Sequence, residues 1–194
     1  MGILTFDDES HAYALDGRPV PSVTTILSRA GLINYEFIPK DKREFYLTRG
    51  SYVHYATELL DDGDLDWDSL DPDIEPHVRA YAQFKKDTGF QPEMIEFKSY
   101  NDSMWYAGTL DRVGMLNGKR VIVDFKSGAV GKWTAIQVCG GYANMKGVGA
   151  VSAGYGLELN SEGKYKLSEP WTDFVGAQRV FVAALTIHRW KEMG

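Results

Sequence analysis

Three side chains in one short stretch could do chemistry together: Asp111, Asp124 and Lys126. They lie in WYAGTLDRVGMLNGKRVIVDFKSG, residues 105–128, which reads as two strands joined at Asn117-Gly118. Both central residues of a two-residue hairpin need positive φ, and Asn followed by Gly tolerates that best. Such a loop sets Leu116 opposite Lys119, Val113 opposite Ile122, Asp111 opposite Asp124 and Thr109 opposite Lys126. Directly opposed side chains sit roughly 4.5–5.5 Å apart at Cβ, where like charges repel. Period-2 alternation puts Lys126 on the face of Asp124, with Val113, Met115 and Ile122. Two acids and an amine beside core aliphatics need a reason, and a bound divalent cation is the simplest, because hard cations take carboxylate oxygens. A three-residue turn with a bulge would slip the register and part the two acids.

The elements that must position these groups follow from periodicity. Residues 3–6 and 11–15 alternate as an N-terminal hairpin, with a further turn at Asp16-Gly17. Ser22 is placed to cap a short helix over Val23–Arg29. Residues 31–40 read as loop and 41–47 as a short helix. Arg49–Asp61 reads as a helix whose apolar stripe is Val53, Ala56, Thr57 and Leu60. His54, Glu58 and Asp61 share a different face at i, i+4 and i+7. An acidic loop over 62–73 leads to an amphipathic helix over Ile74–Thr88, closed by Gly89. Strands are expected at about 92–100, 104–116 and 119–127, then a helix over Lys132–Lys146 with Gly140-Gly141 in its middle. Two glycines cost such a helix roughly 1–2 kcal/mol, so close packing or a distortion is expected there. Strands at Ala150–Leu159 and Lys164–Leu167 and a last helix, Trp171–Glu192, follow. That helix is expected to bury Phe174, Val180, Phe181, Ala184, Leu185 and Trp190. The order helix, three antiparallel strands, helix, strand is α/β with a mixed sheet.

Gly108-Thr109-Leu110-Asp111 followed by Val123-Asp124-Phe125-Lys126-Ser127-Gly128 resembles the PD-(D/E)xK nuclease superfamily, and within it the RecB-type exonuclease branch. The resemblance spans roughly residues 49–160. The opening HAYALDGRPVPSVTTIL is also similar to the start of phage-encoded and mitochondrial members that act on single-stranded ends. The resemblance implies a restriction-endonuclease-like αβββαβ core with a mixed central sheet flanked by helices. It implies one domain over residues 1–194, with an N-terminal extension, 1–48, and a C-terminal strand and helix, 161–194. His54, in Arg49-Gly50-Ser51-Tyr52-Val53-His54, would be a metal ligand with Asp111, Asp124 and the Phe125 backbone carbonyl. Lys126 would orient or activate the attacking water, and Gln137 matches the last motif. The family's tyrosine stands four residues after that glutamine, whereas here Gly141 does and Tyr142 is one further on. Five residues of regular helix turn about 500°, so either a bulge near Gly140-Gly141 realigns Tyr142 or it lacks the family role. The implied activity is metal-dependent DNA exonuclease action in recombination, repair or end-processing, with Mg²⁺ or Mn²⁺ and a DNA end or single strand as partner, alongside a recombination partner protein. A non-catalytic nucleic-acid-binding accessory protein on the same fold, or a flap endonuclease, fits the same residues. Oligomeric state stays open.

Beside these, Glu58 and Glu96 lie where they could support the metal, although each also reads as an ordinary solvated acid. Arg49, Ser127, Trp133 and Tyr142 are candidate substrate contacts. Arg49 could hold a terminal phosphate and Trp133 could stack on a base. His11, His77 and His188 stand alone and receive no role. Hydrophobic residues make up 44%, enough for a core. The single cysteine, Cys139, excludes an internal disulfide and a self-contained iron–sulfur cluster. A net charge of −6 argues against non-specific nucleic-acid binding but not against a locally basic groove beside an acidic metal site. No apolar run approaches a membrane span and no leader is evident, so a cytoplasmic location is expected.

Overall fold

A computed structural model describes residues 2–8, 10–33 and 39–193 of the chain. Among these are five helices and two sheets. The first sheet holds β1 (Leu4–Asp7), β2 (Ala12–Leu15) and β3 (Arg18–Val20), so the N-terminal hairpin gains a third strand that alternation did not reveal. Then come α1 (Val23–Arg29), α2 (Lys40–Asp62) and α3 (Glu75–Thr88). Ser22 caps α1 by accepting from the Thr25 N–H. The two helices expected over 41–47 and 49–61 are one, since nothing between them breaks the hydrogen-bond ladder. Of the loop expected over 31–40, residues 34–38 lie outside the described residues.

The second sheet is β4 (Gln91–Asn101), β5 (Tyr106–Leu116), β6 (Lys119–Lys126), β7 (Ala153–Leu159) and β8 (Tyr165–Leu167), in that spatial order. β4, β5 and β6 are antiparallel neighbours, β6 and β7 run parallel, and β8 returns antiparallel. The sheet is therefore mixed. The parallel step is made through α4 (Lys132–Ala135) and the turns that follow it. Asn117 and Gly118 have φ of 51° and 72°, the positive values a two-residue turn requires. The register matches the expectation from Leu116↔Lys119 through Val113↔Ile122 to Arg112↔Val123.

One face of this sheet buries α1, the segment after α4 and α5 (Phe174–Glu192) around Val23, Ile26, Leu110, Val113, Ile122, Val138 and Phe181. The other buries α2 and α3 around Val53, Val78, Tyr81, Phe84, Val123, Phe125 and Leu157. Alternation holds along β6, where Ile122 enters the first core and Val121, Val123 and Phe125 the second. It fails along β5 and β4. Leu110 and Val113 both pack into the first core, and so do Phe97 and Met94, although residues three apart on a regular strand face opposite ways. Both strands reverse face between these residues, at Asp111 and Glu96.

Two helix expectations are corrected. Lys132–Lys146 is not one α-helix: α4 passes into a π-helical turn over Ile136–Gly141 and a 3₁₀ turn over Tyr142–Asn144. The Gly140-Gly141 pair lets this segment lie against α5, for a Cβ on Gly140 would meet the Ala177 carbonyl oxygen at 2.5 Å. α5 starts at Phe174 because Trp171 is held in an extended bridge to Gly154, and Asp173 caps the helix by accepting from the Gly176 N–H. Its buried residues are Phe181, Ala184, Leu185 and His188. Val180 and Trp190 are exposed, 42% and 69%, since the helix turns only a narrow stripe inward. No helix among the described residues is long and apolar enough to cross a membrane.

Candidate metal centre

α2 carries its site residue on the face the sequence suggests. Val53, Ala56 and Thr57 are buried against the sheet, and His54 projects toward the middles of β4 and β5. The His54 Nδ1 lies 3.1 Å from Glu96 Oε1 and 3.5 Å from Asp111 Oδ1. One ligand atom from each of His54, Glu96 and Asp111 falls within 4.8 Å of the others.

The reversal of face makes this cluster. Glu96 stands opposite Asp111, between the pairs Ile95↔Arg112 and Phe97↔Leu110. Its φ is +43°, in the left-handed region that a residue with a Cβ enters only at a cost. On the other side of β5, the ladder with β6 ends at Arg112↔Val123. Past that point the Asp111 side chain reaches toward β6, and its Oδ2 accepts the Phe125 N–H at 2.5 Å. Asp111 and Asp124 thus flank the spot where the two strands part. The contact at Phe125 is made by its N–H. Asp124 lies outside the close group of three and pairs with Lys126, whose ammonium sits 5.2 Å from the Trp133 ring centroid.

The electrostatics follow from crowding acids into a dry corner. Burial pushes the Asp111 carboxyl up to about 7; His54 pulls it back, and Asp124 and Glu96 push it further up. Burial alone would lower the His54 pKa, but the Asp111 carboxylate and the hydrogen bond and charge of Glu96 raise it to about 9. Glu96 shows the converse: burial opposes its charge, yet His54 and Arg112 hold its pKa below the usual value.

The π turn takes up the extra residue between Gln137 and Tyr142. A π turn bonds residue i to i+5, and the Tyr142 N–H does donate to the Gln137 carbonyl. That stacks the side chains, and Gln137 Nε2 donates to Tyr142 Oη at 2.7 Å. The Tyr142 ring lies over Gly108, where a Cβ would stand 2.9 Å from its Cε1. Burial, then the nearby Asp124 and Asp111 carboxylates, hold its phenol well above the usual pKa. Gln137 also reaches Thr24 of α1 at 3.4 Å.

Of the remaining candidates, Arg49 donates to the Ser127 carbonyl at 2.9 Å and lies 5.8 and 5.1 Å from the Phe45 and Tyr46 ring centroids. Glu58 is one turn beyond His54 and outside the close group. Residue type and spacing missed Arg112, which is fully buried and bonded to Glu96 and to Asp61. The available signals were a cation amid buried strand residues, Leu110-Asp111-Arg112-Val113, and Asp61 on the helix face of His54. No protein-family model and no curated protein matches this chain.

Proposed function

We propose that the chain is a metal-dependent DNA exonuclease of the PD-(D/E)xK superfamily, RecB-type, hydrolysing phosphodiester bonds in end-processing, recombination or repair. The observation that carries the reading is the convergence of His54, Glu96 and Asp111 beside the Asp124–Lys126 pair, where β5 and β6 part. The order α3, β4, β5, β6, α4, β7, with three antiparallel strands and a parallel fourth, agrees with the αβββαβ core that this family implies. The π turn that joins Gln137 to Tyr142 supports carrying over the last motif despite its extra residue.

The donor set fits a divalent cation. Imidazole nitrogen and carboxylate oxygens suit Mn²⁺ and, for the oxygens, Mg²⁺. The corner holds four carboxylates, Asp61, Glu96, Asp111 and Asp124, matched by Lys85, Arg112, Lys126 and a His54 imidazole that its acids hold protonated. A bound cation would take the place of the His54 proton. His54, Glu96 and Asp111 would hold it, with Asp124 and the Phe125 carbonyl as the further ligands the family implies. Such an ion supplies Lewis-acid stabilisation of phosphoryl charge and a more acidic water.

The chain's own groups do the rest. Lys126, anchored by Asp124, presents a fixed positive charge to a non-bridging phosphate oxygen and orients the attacking water. Water adds to phosphorus, the 3′ oxygen departs, and the product keeps a 5′ phosphate. Phe45, Tyr46, Tyr52 and Tyr55 are exposed on α2, the helix of His54, and Lys42, Arg43 and Arg49 add charge there. Aromatic rings among cations suit an unpaired strand, whose bases stack without sequence preference.

The test is incubation with end-labelled single- and double-stranded DNA in Mg²⁺, Mn²⁺ or EDTA, with Asp124→Ala as control. Cleavage from ends that requires the metal, and falls at least about 100-fold in the variant, is expected. Cleavage that persists in EDTA or in Asp124→Ala refutes the reading.

A further inference from the structure

Arg112 has no exposed surface, and its guanidinium reaches four groups on three elements. Nε donates to Asp61 Oδ2 at 2.6 Å, and Nη2 to Thr57 Oγ1 at 3.2 Å, both on α2. Nη1 donates to Glu96 Oε1 at 3.0 Å on β4 and to the Asp111 carbonyl oxygen at 2.6 Å on β5. Asp61 is itself fixed by the Tyr81 hydroxyl at 2.8 Å and by Lys85 Nζ at 2.5 Å, both from α3. The guanidinium packs over Phe125, 4.9 Å from its centroid.

We infer that Arg112 is the positioning residue of the metal centre: one buried guanidinium sets the separation of the His54 helix from the two strands that bear Glu96 and Asp111. The inference rests on the metal reading above. Thr57 and Asp61 follow His54 by one and two helical turns, so the bonds that Arg112 makes to them fix the height of His54 over the sheet. The bond to Glu96 fixes the carboxylate at the residue whose backbone is already in the left-handed region. The bond to the Asp111 carbonyl holds the strand where it reverses face. A guanidinium suits this task because its planar fork offers five donors in set directions, whereas a lysine ammonium offers a point charge on a flexible stem. Leaving a carboxylate buried without its partner is costly, so Asp61 and Glu96 in turn hold Arg112 in place.

The experiment is Mn²⁺ titration of the full chain, followed by the loss of the free-ion paramagnetic resonance signal. It is run on wild type, Arg112→Lys, Asp61→Asn and His54→Ala, with thermal midpoints in EDTA measured in parallel. Removing a group that orients metal ligands costs about 10–100-fold in affinity, and that loss is expected for Arg112→Lys. Asp61→Asn, which keeps the shape and releases only the anchor, should lose less, but still several-fold. If Arg112→Lys does not fold, the Asp61→Asn titration decides. A lower midpoint with wild-type Mn²⁺ affinity in either folded variant reduces Arg112 to a structural ion pair and overturns the inference alone. Wild type that binds Mn²⁺ no better than His54→Ala overturns the metal reading, and the inference with it.

Discussion

Without metal, this protein should become progressively less stable as the solution turns alkaline, and the slope above pH 7 should belong to His54. The imidazole is raised from 6.5 to about 9 by Asp111 and Glu96 against the pull of burial. The folded chain therefore holds this proton more tightly than the unfolded chain does. The stabilisation is fully present below about pH 6.5 and is lost as pH climbs through about 9. At about 1.4 kcal/mol per tenfold change in proton binding, the interval is worth about 3 kcal/mol. The side chain is 30% exposed, so about 2 kcal/mol is the figure after allowance for water. For a chain of this size that is about 4–8 °C in Tm. Asp111 acts in the same sense at lower pH: burial raises it from 3.8 to about 7, so its share is fully present below about pH 3.8 and is lost as pH climbs through about 7, which leaves the slope above pH 7 to His54. Glu96 acts oppositely, its lowered pKa giving stability that disappears as pH falls below the ordinary carboxylate range. The assay is a thermal melt from pH 4 to 9.5 in EDTA and again in Mn²⁺. In EDTA, Tm should peak in mildly acidic solution and decline from pH 6.5 to 9. In Mn²⁺ the decline should shrink or invert, because ligation needs neutral imidazole and ionised carboxylate. A flat or rising Tm in EDTA over that range, or the same decline in His54→Ala, would refute the reasoning.

Two further outcomes test the segment after α4. Gly140→Ala should cost about 1–2 kcal/mol in urea unfolding, because a methyl 2.5 Å from the Ala177 carbonyl overpacks the contact with α5 by more than the helix-propensity gain returns; an unchanged or higher midpoint would show that the contact yields freely. Tyr142→Phe should cost about 1–2 kcal/mol by leaving the Gln137 amide without its 2.7 Å partner, and adding Gln137→Leu should recover part of that loss; strictly additive effects would mean that the two side chains are not coupled.

The elements were largely legible because each had a local cause. Asn117-Gly118 set the hairpin and, through it, the register as far as Arg112↔Val123, one step short of the pair expected between Asp111 and Asp124. The stripe Val53, Ala56, Thr57 set which face of α2 is buried. Gly140-Gly141 announced a distortion, and the extra residue between Gln137 and Tyr142 is absorbed by a π turn at that place.

What only the tertiary structure decided is where those local rules give way. Alternation assumes a regular pleat, so it cannot show that β4 and β5 both reverse face at Glu96 and Asp111. That reversal brings Glu96 into the close group with His54 and Asp111 and leaves Asp124 to Lys126. Nor does a sequence show that Arg112 is buried. An arginine in a strand reads as a surface residue until α2 and α3 close over it and supply Asp61, Tyr81 and Lys85 from distant points of the chain. Hairpins and helix faces depend on bonds between near neighbours, which residue order specifies. The choice of which carboxylates face one imidazole depends on how helix and sheet layers settle on each other, and that is decided by the whole core.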